Sequence, residues 1–88
     1  MIRLRGTLTC APGEAAAVRA ALPDHLHLTR AEPGCLAFDV TETAPGVFAV
    51  SETFADRAAF DAHQVRTRAS AWWQATAHMS RDFVLEEA

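Results

Sequence analysis

The chain has 88 residues, half of them apolar and 22% charged, and its eight Arg and eleven Asp or Glu give a net charge of −3. This length predicts a single domain, residues 1–88, and the high apolar content of so small a domain predicts a partner subunit. The acidic balance argues against nucleic-acid binding, and no basic run or long apolar stretch suits a membrane. We expect a cytoplasmic protein, because no signal-peptide block follows Met1.

The cysteine and histidine contents predict neither a disulfide framework nor a metal site. Cys10 and Cys35 are the only cysteines and form no C-x-x-C pair, so we expect two free thiols. His25 and His27 are two residues apart, and the other two His residues lack the spacing of a zinc site. The sequence therefore predicts no metal.

The first forty residues indicate a strand followed by helix. Apolar and polar residues alternate in "IRLRGTLTC", which predicts a half-buried strand near residues 1–10. From Glu14 the chain is rich in Ala, which favours helix. Pro23 interrupts this pattern, so the helix either kinks there or ends and gives way to a second one. We expect a split helical region that stops at Pro33–Gly34.

A β-hairpin is predicted next, with strands near residues 35–43 and 47–54 around "APG". Leu36, Phe38 and Val40 are expected to share one face of the first strand. The second strand has an apolar face that also contains Glu52. Because an unpaired carboxylate is costly to bury, Glu52 is a candidate functional residue.

The last third of the chain predicts two helices and a closing strand. Asp56 can cap a helix on which Phe60 and His63 lie at helical spacing. A polar break then precedes a short helix with both Trp residues, and alternation resumes near residues 81–87. The order β-α-β-β-α-β predicts an α+β, ferredoxin-like fold with an antiparallel sheet in the order 4-1-3-2. Helices on one side leave the other face open, and a second copy is the simplest cover.

Two segments carry a resemblance to a known family. "EPGCLAFDV" at residues 32–40 and "FAVSETFADRAAFDAHQ" at residues 48–64 resemble the antibiotic biosynthesis monooxygenase domain, a quinol monooxygenase-like group of dimeric α+β barrel proteins. The family pattern has two parts. The first is Glu-x-Gly followed by a strand that contains an aromatic residue. The second is an aromatic strand with a Glu two residues before an aromatic residue, then an Asp, then a helix that ends in His. In this chain the second part of the pattern is matched by Glu52, Phe54, Asp56, Phe60 and His63.

The resemblance implies a homodimer with a pocket in each subunit between the sheet and the helices. In the oxygenase members of the family, O₂ oxidises a small aromatic phenol or quinol without a metal or flavin, so no cofactor is expected here. Other members degrade haem, isomerise a small phosphorylated sugar-like signal, or have no known reaction.

Candidate site residues follow from residue chemistry and from the family's pattern. His63 is the candidate base, and we expect Glu52 to orient it. Substrate contacts are predicted for aromatic and cationic side chains, namely Phe60, Arg66, Arg68, Trp72 and Trp73. Adjacent Trp residues on a helix point in different directions, so one should line the pocket and the other should meet solvent or a partner. The simpler interpretation is a packing His and a solvated pair of Arg.

These residues support three functional hypotheses. The first is a cofactor-independent monooxygenase that acts on a small aromatic or quinol substrate. The second is an acid–base isomerase of a small polar metabolite, for which Arg66 and Arg68 would bind the anionic group. The third is a non-catalytic dimeric protein that binds a small molecule.

Overall fold

Four strands and three α-helices form the protein in the computed structural model, which describes residues 1–88. The elements are β1 (Ile2–Thr9), α1 (Ala15–Arg30), β2 (Cys35–Ala44), β3 (Val47–Phe54), α2 (Arg57–Arg68), α3 (Ala71–Thr76) and β4 (Ser80–Glu87), and a 3₁₀ turn at Pro12–Glu14 precedes α1. The antiparallel sheet has the order β2-β3-β1-β4, which confirms the predicted order and the α+β, ferredoxin-like class. None of the helices has the length and apolar character needed to cross a membrane.

The two central strands provide the floor of the core. Leu4 and Leu8 of β1 are buried, and they lie opposite Glu52 and Phe48 of β3. The alternation predicted for both strands is confirmed, because their inward residues are buried or nearly so while their outward residues are more exposed. Glu52 is consequently 8% exposed, a carboxyl group on an otherwise apolar strand face.

Helix α1 is continuous, so the prediction of a split at Pro23 was wrong. Pro23 lies inside the helix on its exposed side. A proline removes one backbone hydrogen bond, and on the exposed side the freed carbonyl can bond water instead. The inward side of the helix buries Val18, His25 and Thr29 against the sheet and the other helices.

The predicted face of β2 needs one correction. The register shifts between Cys35 and Ala37, and Leu36 at this irregularity is 57% exposed. A bulge inserts an extra residue and interrupts the alternation of the strand. Phe38 is buried and Val40 is partly buried, as expected for the inward face.

The remaining helices begin with side-chain caps. Asp56 accepts a hydrogen bond from the backbone N–H of Ala59 at 2.8 Å, which confirms the predicted start of α2. Ser70 caps α3 in the same way through the N–H of Trp73 at 3.3 Å. Such caps satisfy backbone donors that a helix leaves unpaired.

Two features of the loops confirm predictions from the sequence. Gly46 has a φ of +80° in the Pro45–Gly46 turn between β2 and β3, a conformation that favours glycine at this place in a hairpin turn. Cys10 and Cys35 are both free thiols: Cys10 follows β1 and Cys35 begins β2, and these two strands are separated in the sheet by β3.

Candidate functional site

A cavity lies between the inward face of the sheet and the helices. Its walls are mostly aromatic and aliphatic, with a few polar groups, and it is lined by Leu8, His25, Phe38, Val40, Val50, Glu52, His63, Thr67, Trp72, Trp73, Arg81 and Phe83. An apolar cavity with a few converging polar groups is the usual form of a small-molecule site. The predicted catalytic pair, His63 and Glu52, and both Trp residues contribute to it.

His63 is held by a buried hydrogen bond to Glu32. The distance between His63 Nδ1 and Glu32 Oε1 is 2.6 Å, and the His63 side chain is 2% exposed. Glu32 also accepts from Arg66, whose Nε lies 3.1 Å from Oε2, and the same guanidinium donates to Thr29 Oγ1 at 2.8 Å. A carboxylate acceptor keeps the imidazole proton on Nδ1, so Nε2 carries the lone pair.

The second nitrogen of His63, Nε2, faces two residues that line the cavity. Thr67 Oγ1 is 3.3 Å from Nε2, a long hydrogen bond, and Glu52 Oε1 is 3.8 Å from it. Because Thr67 and Glu52 both line the cavity, Nε2 is the nitrogen that a ligand there would reach by taking the place of the Thr67 hydroxyl. Burial lowers the pKa of His63, while the hydrogen bond and charge of Glu32 act in the opposite direction. The lowered pKa favours the neutral imidazole, which is the form that can accept a proton.

The expectation that Glu52 orients His63 was wrong in its geometry. A distance of 3.8 Å is too long for a hydrogen bond, whereas Glu32 makes a short one to the opposite nitrogen of the ring. Glu52 has a different environment. Burial raises its pKa to about 7, and the nearby charge of Glu32 adds to this effect. Glu52 is therefore a carboxyl group that changes protonation near neutral pH inside the cavity.

His25 and Trp72 form a stacked pair in the wall of the cavity. Their rings are 4.9 Å apart between centroids and nearly parallel, at 2°. Phe38 contacts the edge of His25 at 5.3 Å, and the His63 ring lies 5.9 Å from it. Burial lowers the pKa of His25 to about 3, helped by the nearby His63 and Arg66, so the imidazole is neutral at ordinary pH.

Trp73 lies between two arginines at the outer part of the cavity. The guanidinium of Arg81 is 4.9 Å from the centre of the indole and that of Arg68 is 6.0 Å from it. Trp73 is partly exposed, whereas Trp72 is 5% exposed, so the two adjacent rings differ in environment as expected from the geometry of a helix. Arg81 also donates hydrogen bonds to the backbone oxygen of Thr76 at 2.7 Å and to that of Met79 at 3.3 Å.

Three of the predicted substrate contacts do not line the cavity. Phe60 packs with Ile2, Leu4 and Phe54 in a separate part of the core. Arg66 is bound to Glu32 and Thr29, and Arg68 lies on the exposed side of α2. The helical spacing of Phe60 indicated burial correctly, but it does not distinguish core from cavity.

Four polar residues of the site were missed in the sequence. Glu32 was recognised as part of a motif without a role, and Thr67 lies one helical turn after His63, a spacing that places both on one face. His25 occupies the inward face of α1, where a polar residue among apolar ones is a usable signal. Arg81 carried no signal, because its position depends on how β4 meets α3.

The cavity is narrow, with about 60 Å³ accessible to water. This is room for a few water molecules, so an aromatic ligand requires its walls to separate. Trp73 is partly exposed and belongs to α3, a helix of six residues.

Comparison with known proteins agrees with this architecture. A family model described as antibiotic biosynthesis monooxygenase matches residues 1–75. A protein from Deinococcus radiodurans, described as a candidate antibiotic biosynthesis monooxygenase, is 28% identical with a TM-score of 0.80, and the match covers 100% of this chain and 92% of that one. The NE2512 protein of Nitrosomonas europaea, of unknown function, is 29% identical with a TM-score of 0.79, and the match covers 99% of this chain and 87% of that one. No match was found among curated proteins.

Proposed function

Because the chain belongs to the antibiotic biosynthesis monooxygenase family, we propose that it is a cofactor-independent monooxygenase that oxidises a small aromatic phenol or quinol. One observation carries this proposal. The Nδ1 atom of His63 is bonded to Glu32, while Nε2 is on the side of an aromatic-lined cavity. A buried, oriented base beside flat apolar walls suits a phenolic hydroxyl on a flat ring.

The first chemical step is a proton transfer from the phenolic hydroxyl to Nε2 of His63. The proton that is gained makes an imidazolium, and the adjacent Glu32 carboxylate stabilises its charge through the 2.6 Å contact. Arg66 holds Glu32 in place from the other side. This chain of three side chains keeps the imidazole in one orientation during the transfer.

The deprotonated ring is electron-rich and can reduce O₂ directly. In the balanced reaction a phenol and O₂ give a quinone and water. One oxygen atom forms a new bond to a ring carbon and the other leaves as water, while the ring supplies the four electrons that O₂ takes up. Apolar walls such as Val50 and Phe38 limit the water around the reactive ring.

The isomerase hypothesis has less support from the geometry. It requires cationic side chains for an anionic group of the metabolite, and Arg66 and Arg68 were the candidates. Arg66 is committed to Glu32 and Thr29, and neither arginine lines the cavity. Arg81 is the cavity's cationic residue, and its guanidinium is bonded to backbone oxygens.

Oxygen uptake with a panel of hydroquinones tests the proposal. We expect uptake that depends on the protein, and we expect His63→Ala to lower turnover by ~10²–10⁴, the usual contribution of a general base. His78→Ala is the matched control, because His78 is exposed and bonded to Glu14 at the surface. Absence of uptake with every phenol, or equal turnover in His63→Ala and the intact protein, would reject the monooxygenase function.

A further inference from the structure

His25 has a buried nitrogen with no partner inside the protein. The residue is 4% exposed, and its Nδ1 atom is the one buried side-chain nitrogen or oxygen without a hydrogen bond. Buried polar atoms are nearly always paired, because leaving one unpaired forfeits its interaction with water. A leucine would fill this position on the inward face of α1 without that loss. An unpaired imidazole here points to a partner that comes from outside the chain.

The surroundings of His25 indicate where that partner would bind. The ring lines the cavity together with His63, Glu52 and Thr67, and it stacks on the indole of Trp72. The centroids of the two imidazoles are 5.9 Å apart. The two rings are therefore neighbours in the cavity wall, and one ligand can contact both.

We propose that His25 is a second ligand-contacting residue, whose Nδ1–H donates a hydrogen bond to the phenolic oxygen that His63 deprotonates. The inference rests on the proposed function for the class of ligand, a neutral phenol or quinol. The two imidazoles then have different roles at the same oxygen atom. His63 accepts the proton, and His25 stabilises the negative charge that develops as the proton leaves.

The charge state of His25 suits this role. Burial and the neighbouring His63 and Arg66 hold its pKa near 3, so the ring is neutral when the protein works at ordinary pH. A neutral imidazole donates through one nitrogen without bringing a full charge into the cavity. The site therefore favours a hydroxyl group of a neutral ring over a carboxylate or phosphate, which would need a cationic partner to replace its hydration.

Nitrogen NMR of the four histidines tests the contact without any turnover. Hydroquinone is the probe, and toluene is the comparison ligand because it keeps the ring and lacks the hydroxyl. In protein labelled with ¹⁵N-histidine, we expect hydroquinone under nitrogen gas to shift the Nδ1 resonance of His25 and toluene to leave it nearly unchanged. No shift at saturation, or no binding of hydroquinone up to its solubility, would overturn the proposal.

A substitution separates ligand binding from folding. His25→Leu should keep or raise the melting temperature, because it removes a buried unpaired nitrogen, and it should weaken hydroquinone binding by about 10-fold while leaving toluene binding unchanged. His27→Leu, an exposed residue on the same helix, is the matched control. Equal hydroquinone affinity in His25→Leu and the intact protein would overturn the proposal. If His25→Leu does not fold, the NMR titration of the intact chain decides alone.

The outcomes distinguish this inference from the proposed function. Hydroquinone binding with a His25 shift but without oxygen uptake would support the contact and reject the monooxygenase reaction. Oxygen uptake that persists in His25→Leu, with no shift of His25 in the intact protein, would reject the contact and leave the reaction in place.

Discussion

Two carboxyl groups lie beside His63 and have different partners. Glu32 is bonded to Nδ1 of the imidazole and to Arg66, so its negative charge is matched by hydrogen-bond donors. Glu52 lies 3.8 Å from Nε2 and has no such donor, and burial raises its pKa to about 7. The same residue type therefore serves as an anchor at one nitrogen and as a group that titrates near neutral pH at the other.

We expect Glu32→Gln to impair catalysis more than binding. The amide can keep the shape of the site, but it cannot stabilise the imidazolium that His63 forms, so turnover should fall by ~10² while the substrate concentration for half-maximal rate changes little. The pKa of His63 read from the pH–rate profile should also fall, since the charge of Glu32 favours the protonated ring. Steady-state oxygen uptake across pH measures both. An unchanged pH profile would show that Glu32 has only a packing role.

The pH dependence of stability should reveal the buried Glu52. Its pKa in the folded protein, about 7, is above the unfolded value of 4.5, so the folded state binds more protons between these values. Stability is then lost as the pH rises through this interval. Glu52→Gln should match the intact protein at the acid end and be more stable by about 3 kcal/mol well above pH 7. Urea unfolding at several pH values measures the difference, and a constant difference would contradict the assigned pKa.

Among the secondary-structure elements, the strands could be predicted from the sequence, whereas irregularities within strands and helices could not. Alternation identified β1 and β3 because an inward side chain at every second position is imposed by the pleat itself. The same alternation wrongly placed Leu36 on the inward face, since a bulge depends on how two segments pair. The rule that proline ends a helix failed at Pro23, because burial of the inward face of α1 outweighs the loss of one hydrogen bond.

Site residues could be predicted only where the pattern within a single strand or helix marks them. Glu52 stands out on an apolar strand, and His63 follows it on the next helix. The bond between Glu32 and His63 joins residues 31 positions apart, so only the packing of β2, α1 and α2 reveals it. The predicted split at Pro23 is also the reason why His25 was not recognised as a site residue. The inward face of α1, on which His25 lies, can be identified only when the helix is continuous.

Helix α3 depends on Arg81 for its attachment to β4. The guanidinium donates to the carbonyl oxygens of Thr76 and Met79 and lies over the ring of Trp73. Arg81→Gln should lower stability by about 1–2 kcal/mol, because these carbonyls lose a charged donor, and should increase the quenching of Trp73 fluorescence by iodide. Arg68→Gln is the control, since Arg68 is exposed and farther from Trp73. Equal effects of the two substitutions would show that Arg81 has no special role in holding α3.

The whole molecule leaves one face of its sheet without cover. The helices pack on the inward face, and the other face presents Arg5 and Val84 as cross-strand neighbours, with Arg5 paired to Glu86 at 2.8 Å. Val84 is 61% exposed there. A second copy of the same face would bury such a residue and match its charged pairs by symmetry, so we propose a homodimer formed through this surface.

Light scattering of the purified protein tests this arrangement. At micromolar concentration we expect twice the 9.5 kDa mass of the chain. Val84→Glu should give the monomer mass, because the substitution places a charged side chain on the surface that the dimer would bury, while the fold of each subunit changes little since the side chain is exposed there. Val65→Glu is the matched control, because Val65 is 74% exposed on α2, on the helical side of the sheet. A dimer that survives Val84→Glu and dissociates in Val65→Glu would move the interface to the helices, and a monomer of the intact protein at high concentration would reject the homodimer altogether.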